Sequence, residues 1–257
     1  MVKIDLITGF LGSGKTTFIK KYADYLIRQG CNIGILENDY GAINVDMMLL
    51  KDLEGDQCEL EMVAGGCDAD CHRRRFKTKL IAMGMCGYDR VIVEPSGIFD
   101  VDEFFDVLRE EPLDQWYEIG SVITIMNAKL EDTLSEEAEY LLASEAANAG
   151  CVVLSRSQDA SPEEIAKTRA HLNCALQAVY CSRQFGDEII EKNWEDFTEQ
   201  DLERIQNSGY HVEDYTKLHF PEKEGFQSVC VMNLCFSIRI ILTLLSWLCI
   251  RLDFLSL

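Results

Sequence analysis

The sequence predicts a three-layer α/β/α domain built on a mainly parallel sheet. Two observations carry this. Short apolar runs alternate with stretches of helical spacing, and a glycine-rich loop joins the first run to the first helix. Strands that alternate with helices pair in parallel through right-handed crossovers, which leaves the sheet between two layers of helices. The chain has 257 residues, 47% hydrophobic and 26% charged, enough for one full domain and a smaller second one with an ordinary globular core.

The expected strands are Lys3–Thr8, Asn32–Glu37, Glu59–Val63, Arg90–Glu94, Ser121–Met126 and Cys151–Leu154. Each is a short apolar run bounded by polar or glycine positions. After the first, Phe18, Tyr22 and Leu26 recur at helical spacing; after the third, Phe76, Leu80 and Met83 do the same. Ser161-Pro162-Glu163-Glu164 sets proline at a first helical position with acids in the first turn, a helix start. No internal repeat or low-complexity linker interrupts the pattern.

The end of the chain differs in kind. From 236 it reads FSIRIILTLLSWLCIRLDFLSL, and the apolar run Ile240–Ile250 is 11 residues. As a helix this covers roughly 16 Å, short of the ~30 Å hydrocarbon core of a bilayer, so a membrane anchor is not expected. A terminal helix, or a tail left by truncation or an altered reading frame, fits better.

Charge and cysteine content exclude further classes. The formal net charge is −20, which repels nucleic acid and anionic membranes. Eleven cysteines without even spacing, and an N-terminus with no secretory signal, point to a reducing cytoplasm. There, grouped cysteines such as Cys67 and Cys71 in VAGGCDADCHRRR serve metal or redox roles or sit buried in a turn, and all three readings stay open. The run Arg73, Arg74, Arg75, Lys77 and Lys79 reads as a solvated helix face or as a docking patch for an acidic partner.

The strongest motif is Gly9-Phe-Leu-Gly12-Ser13-Gly14-Lys15-Thr16-Thr17, which contains G-x-x-x-x-G-K-[ST] between a strand and a helix. Its glycines let successive N–H groups wrap a polyphosphate at a helix N-terminus. Lys15 is the residue expected to reach the β- and γ-phosphates, and the Thr16 hydroxyl to hold Mg²⁺. A second motif, Arg90-Val-Ile-Val-Glu94-Pro-Ser-Gly97, ends an apolar strand in an acid suited to Mg²⁺. Gly97 follows where a backbone N–H could sense a γ-phosphate.

These segments resemble the CobW/HypB/UreG family of P-loop metallochaperone GTPases, and its CobW branch most. The resemblance rests on GFLGSGKTT at 9–17, ENDYGAINVD at 37–46, AGGC at 64–67 and VIVEPSG at 91–97, and covers roughly residues 1–160. It implies a P-loop NTPase domain over 1–220, followed at 221–257 by the remnant of a C-terminal CobW-type domain or a hydrophobic tail. It implies slow GTP hydrolysis coupled to binding or delivery of zinc, cobalt or nickel to a client metalloenzyme, and a nucleotide-dependent homodimer as a further expectation.

Residue by residue, Lys15, Thr16, Glu94 and Gly97 take the catalytic positions, and Asp46 joins Thr16 and Glu94 around magnesium. Glu37 retains an acid associated with the metal site. Where CobW-type proteins carry Gly-Cys-x-Cys-Cys, this chain keeps Cys67 and then reads Asp68, Ala69, Asp70, Cys71, His72. The expectation is an altered S/O/N site from Glu37, Cys67, Cys71 and Asp70 or His72, less selective for soft metals than three thiolates. Guanine is read in such GTPases by Asn-Lys-x-Asp; here the segment is Ser155-Arg156-Ser157-Gln158-Asp159. Arg156 could stack on a base, Gln158 or Asp159 could bond its edge, and ATP use stays open beside GTP. Two other readings share the phosphate loop. A small-molecule kinase would need an arginine-rich lid where Leu113–Tyr140 is acidic, and a non-catalytic nucleotide-sensing activator or scaffold would differ only in rate.

Overall fold

A computed structural model describes residues 1–39, 45–64, 69–95, 101–131 and 133–218. Its elements run β1 (Val2–Thr8), α1 (Lys15–Arg28), β2 (Ile33–Asp39), α2 (Val45–Leu50), β3 (Cys58–Ala64), α3 (Ala69–Gly84), β4 (Arg90–Pro95), α4 (Val101–Leu108), α5 (Leu113–Trp116), β5 (Tyr117–Asn127), α6 (Glu136–Ala147), β6 (Cys151–Ser155), α7 (Pro162–Ala178), β7 (Ile189–Ile190) and α8 (Glu199–Gln206). Residues Met1–Leu218 form one compact unit. The tail from 221, including the run 240–250, lies outside the described residues.

One seven-stranded sheet takes the order β3-β2-β4-β1-β5-β6-β7, and every pairing is parallel. Alternation along each strand divides the core in two. Ile7, Ile33, Ile35, Ile92, Ile123 and Val153 face Phe18, Tyr22 and Leu26 of α1 and Leu202 and Ile205 of α8. Ile4, Leu6, Leu36, Val91, Val93 and Val152 face helices α3 to α7. From β1 the chain moves to β2 and β3 on one side of the sheet, and from β4 it crosses to β5 on the other side of β1. Such a switch point opens a crevice at the C-terminal ends of the strands, where the phosphate loop sits.

All six expected strands are present, and a seventh is added. β7 is two residues long, paired Val152↔Ile189 and Val153↔Ile190, too short to leave a periodic signal. β5 begins at Tyr117 rather than Ser121, because its pairing with β1 slips by one residue between Ile4 and Leu6. The slip makes room for Asp5, whose carboxylate occupies the place where a side chain on Gly120 would be.

Asp5 is fully buried and fully engaged. Its Oδ2 takes Arg90 Nη1 at 2.6 Å and the Tyr22 hydroxyl at 2.9 Å, and its Oδ1 takes the Ser121 N–H at 2.8 Å. Burial pushes the carboxyl up, and the Arg90 charge pulls against it. This network pins the basal half of β1 to β4, β5 and α1.

The basic run on α3 is neither wholly free nor a clear patch. Arg73 and Lys77 reach Glu110 at 2.7 and 2.5 Å, and Lys79 reaches Glu61 at 2.7 Å. These ion pairs fasten α3 to its surroundings within the chain. Among the described residues, no helix is long and apolar enough to cross a membrane.

Candidate functional site

The site is assembled where β1 gives way to α1. Gly9, Gly12 and Gly14 hold φ of +135°, +77° and +101°, in the left-handed range that a side chain disfavours. At Gly9 the constraint is also steric, because a Cβ would collide with the Ile125 carbonyl oxygen of β5. Ser13 N–H closes a turn onto the Phe10 carbonyl at 3.0 Å, and Phe18 N–H begins the helical ladder at Gly14 with 3.0 Å.

The start of α1 differs from those of α6, α7 and α8. Ser135, Ser161 and Thr198 cap α6, α7 and α8 with their own side chains, the last two as full capping boxes. Helix α1 begins at Gly14 with no side-chain cap and no acid in its first turn. A helix start of this kind suits an anionic ligand, which its dipole favours.

The side chains that follow are buried: Ser13, Lys15 and Thr16 are 6%, 7% and 8% exposed. Lys15 Nζ donates to the Gly9 carbonyl at 2.9 Å and the Phe10 carbonyl at 3.4 Å, and lies 3.9 Å from Glu94 Oε1. The Thr16 hydroxyl donates to the same Glu94 oxygen at 3.2 Å. Sequence reading placed Thr16 and Glu94 together on magnesium, and the structure brings them into contact. A hydroxyl and a carboxylate beside an open helix end suit a hard cation shared with phosphate. Gly97 lies outside the described residues, as does the side chain of Asp46, whose backbone falls in α2.

Glu37 occupies an informative place. It is buried, and β2 aligns it in register with Glu94 of β4. Parallel neighbours in register present their side chains on one face, about 4.8 Å apart between strands. The acid expected at the transition-metal site therefore stands beside the acid expected at the magnesium site. The remaining candidates are spread around α3: Asp70 is exposed, Cys71 half-buried and His72 fully buried. Positions 70 and 72 are about 200° apart on a helix, so Asp70 and His72 face opposite ways. Cys67 lies outside the described residues; among the described ones no three His, Cys, Asp or Glu side chains gather as a metal cage.

The base-reading segment follows β6. Arg156 takes φ +55° and turns the chain into a short 3₁₀ helix over Ser157–Asp159. Arg156, Gln158 and Asp159 are exposed on this loop, with Gln158 Nε2 donating to Asp159 Oδ2 at 3.5 Å. Ser155 and Ser157 are buried beneath them, and among the described residues neither hydroxyl has a hydrogen-bond partner.

Two residues that sequence reading missed complete the site. Trp194, after β7, anchors its indole N–H on the Leu154 carbonyl at 2.8 Å and sets its ring edge-on to Phe18. A Cβ on Gly14 would lie 3.2 Å from that ring and 3.7 Å from the Ser155 Cβ. The indole thus fills the space between the phosphate loop and the base loop. Nothing local marks it, since it sits in a stretch with no periodicity. Glu145, on α6, is buried behind the loop, and its main-chain carbonyl accepts the Thr124 hydroxyl at 3.0 Å and the Thr8 hydroxyl at 3.5 Å. Its heptad neighbours Leu142, Ala143 and Ala146 read as a plain apolar face.

The nucleotide-binding domain model of the CobW/HypB/UreG family matches residues 3–180. The zinc chaperone YeiR of Escherichia coli K12 is 27% identical over 166 residues, 63% of this chain and 49% of that protein. The zinc chaperone YjiA of the same organism is 27% identical over 137 residues, 49% of this chain and 41% of that protein. The solved structure of the Zn(II)-bound YjiA GTPase from E. coli shares the fold, with a TM-score of 0.50 and 20% identity over 86% of this chain and 67% of that one. The chain spans about half the length of the curated relatives it matches.

Proposed function

This chain belongs to the CobW/HypB/UreG family, and from that premise we propose that it is a nucleoside triphosphatase, with GTP its expected substrate. Nucleotide binding and slow hydrolysis would be coupled to binding or delivery of a transition metal, zinc first, to a client metalloenzyme. The observation that carries the reading is the meeting of Lys15, Thr16 and Glu94 at an uncapped helix start.

The chain's own groups account for the chemistry. The N–H groups that open α1 receive the β-phosphate, and Lys15 leaves the Gly9 and Phe10 carbonyls for phosphate oxygens. Thr16 and Glu94, with Asp46, would hold magnesium, which supplies charge neutralisation across the β- and γ-phosphates. No side chain needs to be a strong base, because positioning and charge dominate phosphoryl transfer, and turnover without a partner is slow. The base rests on the loop 155–159, where Arg156 offers a flat cation and Ser155 and Ser157 offer hydroxyls in place of an asparagine. That substitution relaxes the choice of guanine over adenine.

Coupling to metal follows from the register of two strands. Glu37 and Glu94 stand side by side, so a change of ligand at Glu94 is felt at Glu37. The cargo metal is assigned to Glu37 with Cys67 and Cys71, and with Asp70 or His72 but not both. The kinase reading is weakened because Tyr117–Asn127, inside the segment a lid would use, is a strand of the central sheet.

Phosphate release is the test, with GTP and ATP, each with and without Zn²⁺, Co²⁺ or Ni²⁺. GTP should be hydrolysed slowly, and one metal should alter the rate in wild type but not in Cys67→Ser/Cys71→Ser. Turnover of neither nucleotide would sink the triphosphatase, and a rate indifferent to every metal would sink the coupling.

A further inference from the structure

Trp194 is held at three points beside the phosphate loop. Its indole N–H donates to the Leu154 carbonyl at 2.8 Å, and its own carbonyl accepts Lys21 Nζ of α1 at 2.5 Å. Its ring lies edge-on to Phe18, with 5.7 Å between centroids. It opens a short 3₁₀ turn, Trp194–Asp196, which the Asn193 side chain caps by accepting the Glu195 N–H. Backbone and side chain are both tied, so the place of the ring is set from two elements at once.

That place is a seam between two loops. A Cβ on Gly14 would lie 3.2 Å from the indole Cη2, 3.7 Å from its Cζ3 and 3.7 Å from the Ser155 Cβ. The phosphate loop, the base loop and the six-membered end of the indole therefore meet within van der Waals reach. Trp194 borders the cluster of Phe18, Tyr22 and Leu26 without being enclosed by it. Both Trp194 and Gly14 are half-buried, so the seam reaches the surface.

A nucleotide with its phosphates at the start of α1 and its base at 155–159 carries its nucleoside along this seam. We propose that Trp194 contacts the nucleoside through the exposed part of its indole, and that this contact adds affinity for purine nucleotides without choosing between guanine and adenine. The proposal deepens the triphosphatase reading and rests on it. Aromatic packing tolerates a change of base because every base has a π face. Edge recognition, which does discriminate, is left to the exposed Arg156, Gln158 and Asp159. An aromatic wall thus offsets what the altered base-reading segment loses.

Equilibrium binding to the whole chain tests this, with non-hydrolysable GTP and ATP analogues and with inorganic triphosphate, each with Mg²⁺. Trp194→Ala should weaken both analogues by the same factor, about tenfold. It should leave inorganic triphosphate, which has no nucleoside, unchanged. Trp194→Phe keeps an aromatic ring and should recover most of the loss. In wild type both analogues should alter the tryptophan emission and inorganic triphosphate should not, and Trp194→Phe should abolish the change.

Equal weakening of all three ligands would mark a purely structural role, and a loss for one analogue alone would mark base selection. Either result overturns the proposal, as does a phenylalanine variant no better than the alanine one. Should Trp194→Ala fail to fold, the emission change and its loss in Trp194→Phe decide alone. If wild type binds none of the three ligands, the nucleotide reading falls together with this one. If wild type and Trp194→Ala bind the analogues alike, this one falls by itself.

Discussion

Helices α1 and α7 begin in opposite ways. At α7, Ser161 Oγ accepts the Glu164 N–H at 3.2 Å, and Glu164 returns the favour to the Ser161 N–H at 2.8 Å. The start closes on itself. At α1 the cap is a left-handed glycine, the first side chain is a buried lysine, and neither a capping side chain nor a first-turn acid closes the start. The same contrast holds between the two ends of β1. Basally, Asp5 and Arg90 meet at 2.6 Å with Tyr22 and Ser121 filling the remaining valences. Apically, Lys15 and Glu94 stand 3.9 Å apart and the lysine leans on carbonyls. Polar groups that satisfy one another hold the fold, and those left loosely engaged are where a ligand completes the set.

The largest effect should come from breaking the closed network. Arg90→Met leaves Asp5 buried without its cation and should lower unfolding stability by about 3–5 kcal/mol in urea titrations. The deficit should shrink as pH falls, because the Asp5 carboxyl, already raised by burial, then takes a proton. A deficit confined to nucleotide binding would contradict the structural role.

Lys15→Ala tests the open end. Nucleotide affinity should drop about 10²–10³-fold by equilibrium dialysis, with a much smaller change in unfolding midpoint than Arg90→Met. Unchanged affinity would remove the phosphate site.

Gly14→Ala strains φ +101° and pushes on the Trp194 ring. It should cost about 1–3 kcal/mol of stability and weaken nucleotide binding, and Trp194 fluorescence should report the displacement. Full stability with native fluorescence would mean that the loop is looser than drawn.

The smallest effect belongs to the closed helix start. Ser161→Ala should cost about 1 kcal/mol in thermal melts and leave nucleotide affinity unchanged. Glu164 is held below its ordinary 4.5 by the Ser161 N–H and then Lys129. Its contribution should be complete above that value and fade as pH falls through the lowered one, in the variant as in wild type, because the Ser161 backbone N–H that holds it survives the substitution.

Much of this was legible in the chain. The six main strands stood out because each is a short segment rich in apolar residues between stretches of helical spacing, and G-x-x-x-x-G-K-[ST] marks its own strand–loop–helix context. Glu94 could be paired with Thr16 because an acid ending an apolar strand has few other duties. Asp5 hid inside a strand that reads as apolar, and Ile189–Ile190 was too short to register. Trp194 and Glu145 had no motif: the one is 180 residues from Gly14 and the other 136 from Gly9.

What the sequence determined alone was therefore the class of fold, the phosphate loop and the family, since each depends on neighbours along the chain: alternation, glycine spacing and helix starts. The tertiary structure decided what depends on neighbours across the sheet. Only the parallel register sets Glu37 beside Glu94, only packing lays Trp194 on Gly14, and only the tertiary fold buries Glu145, one acid among 44 acidic residues, with its main-chain carbonyl on the Thr8 and Thr124 hydroxyls.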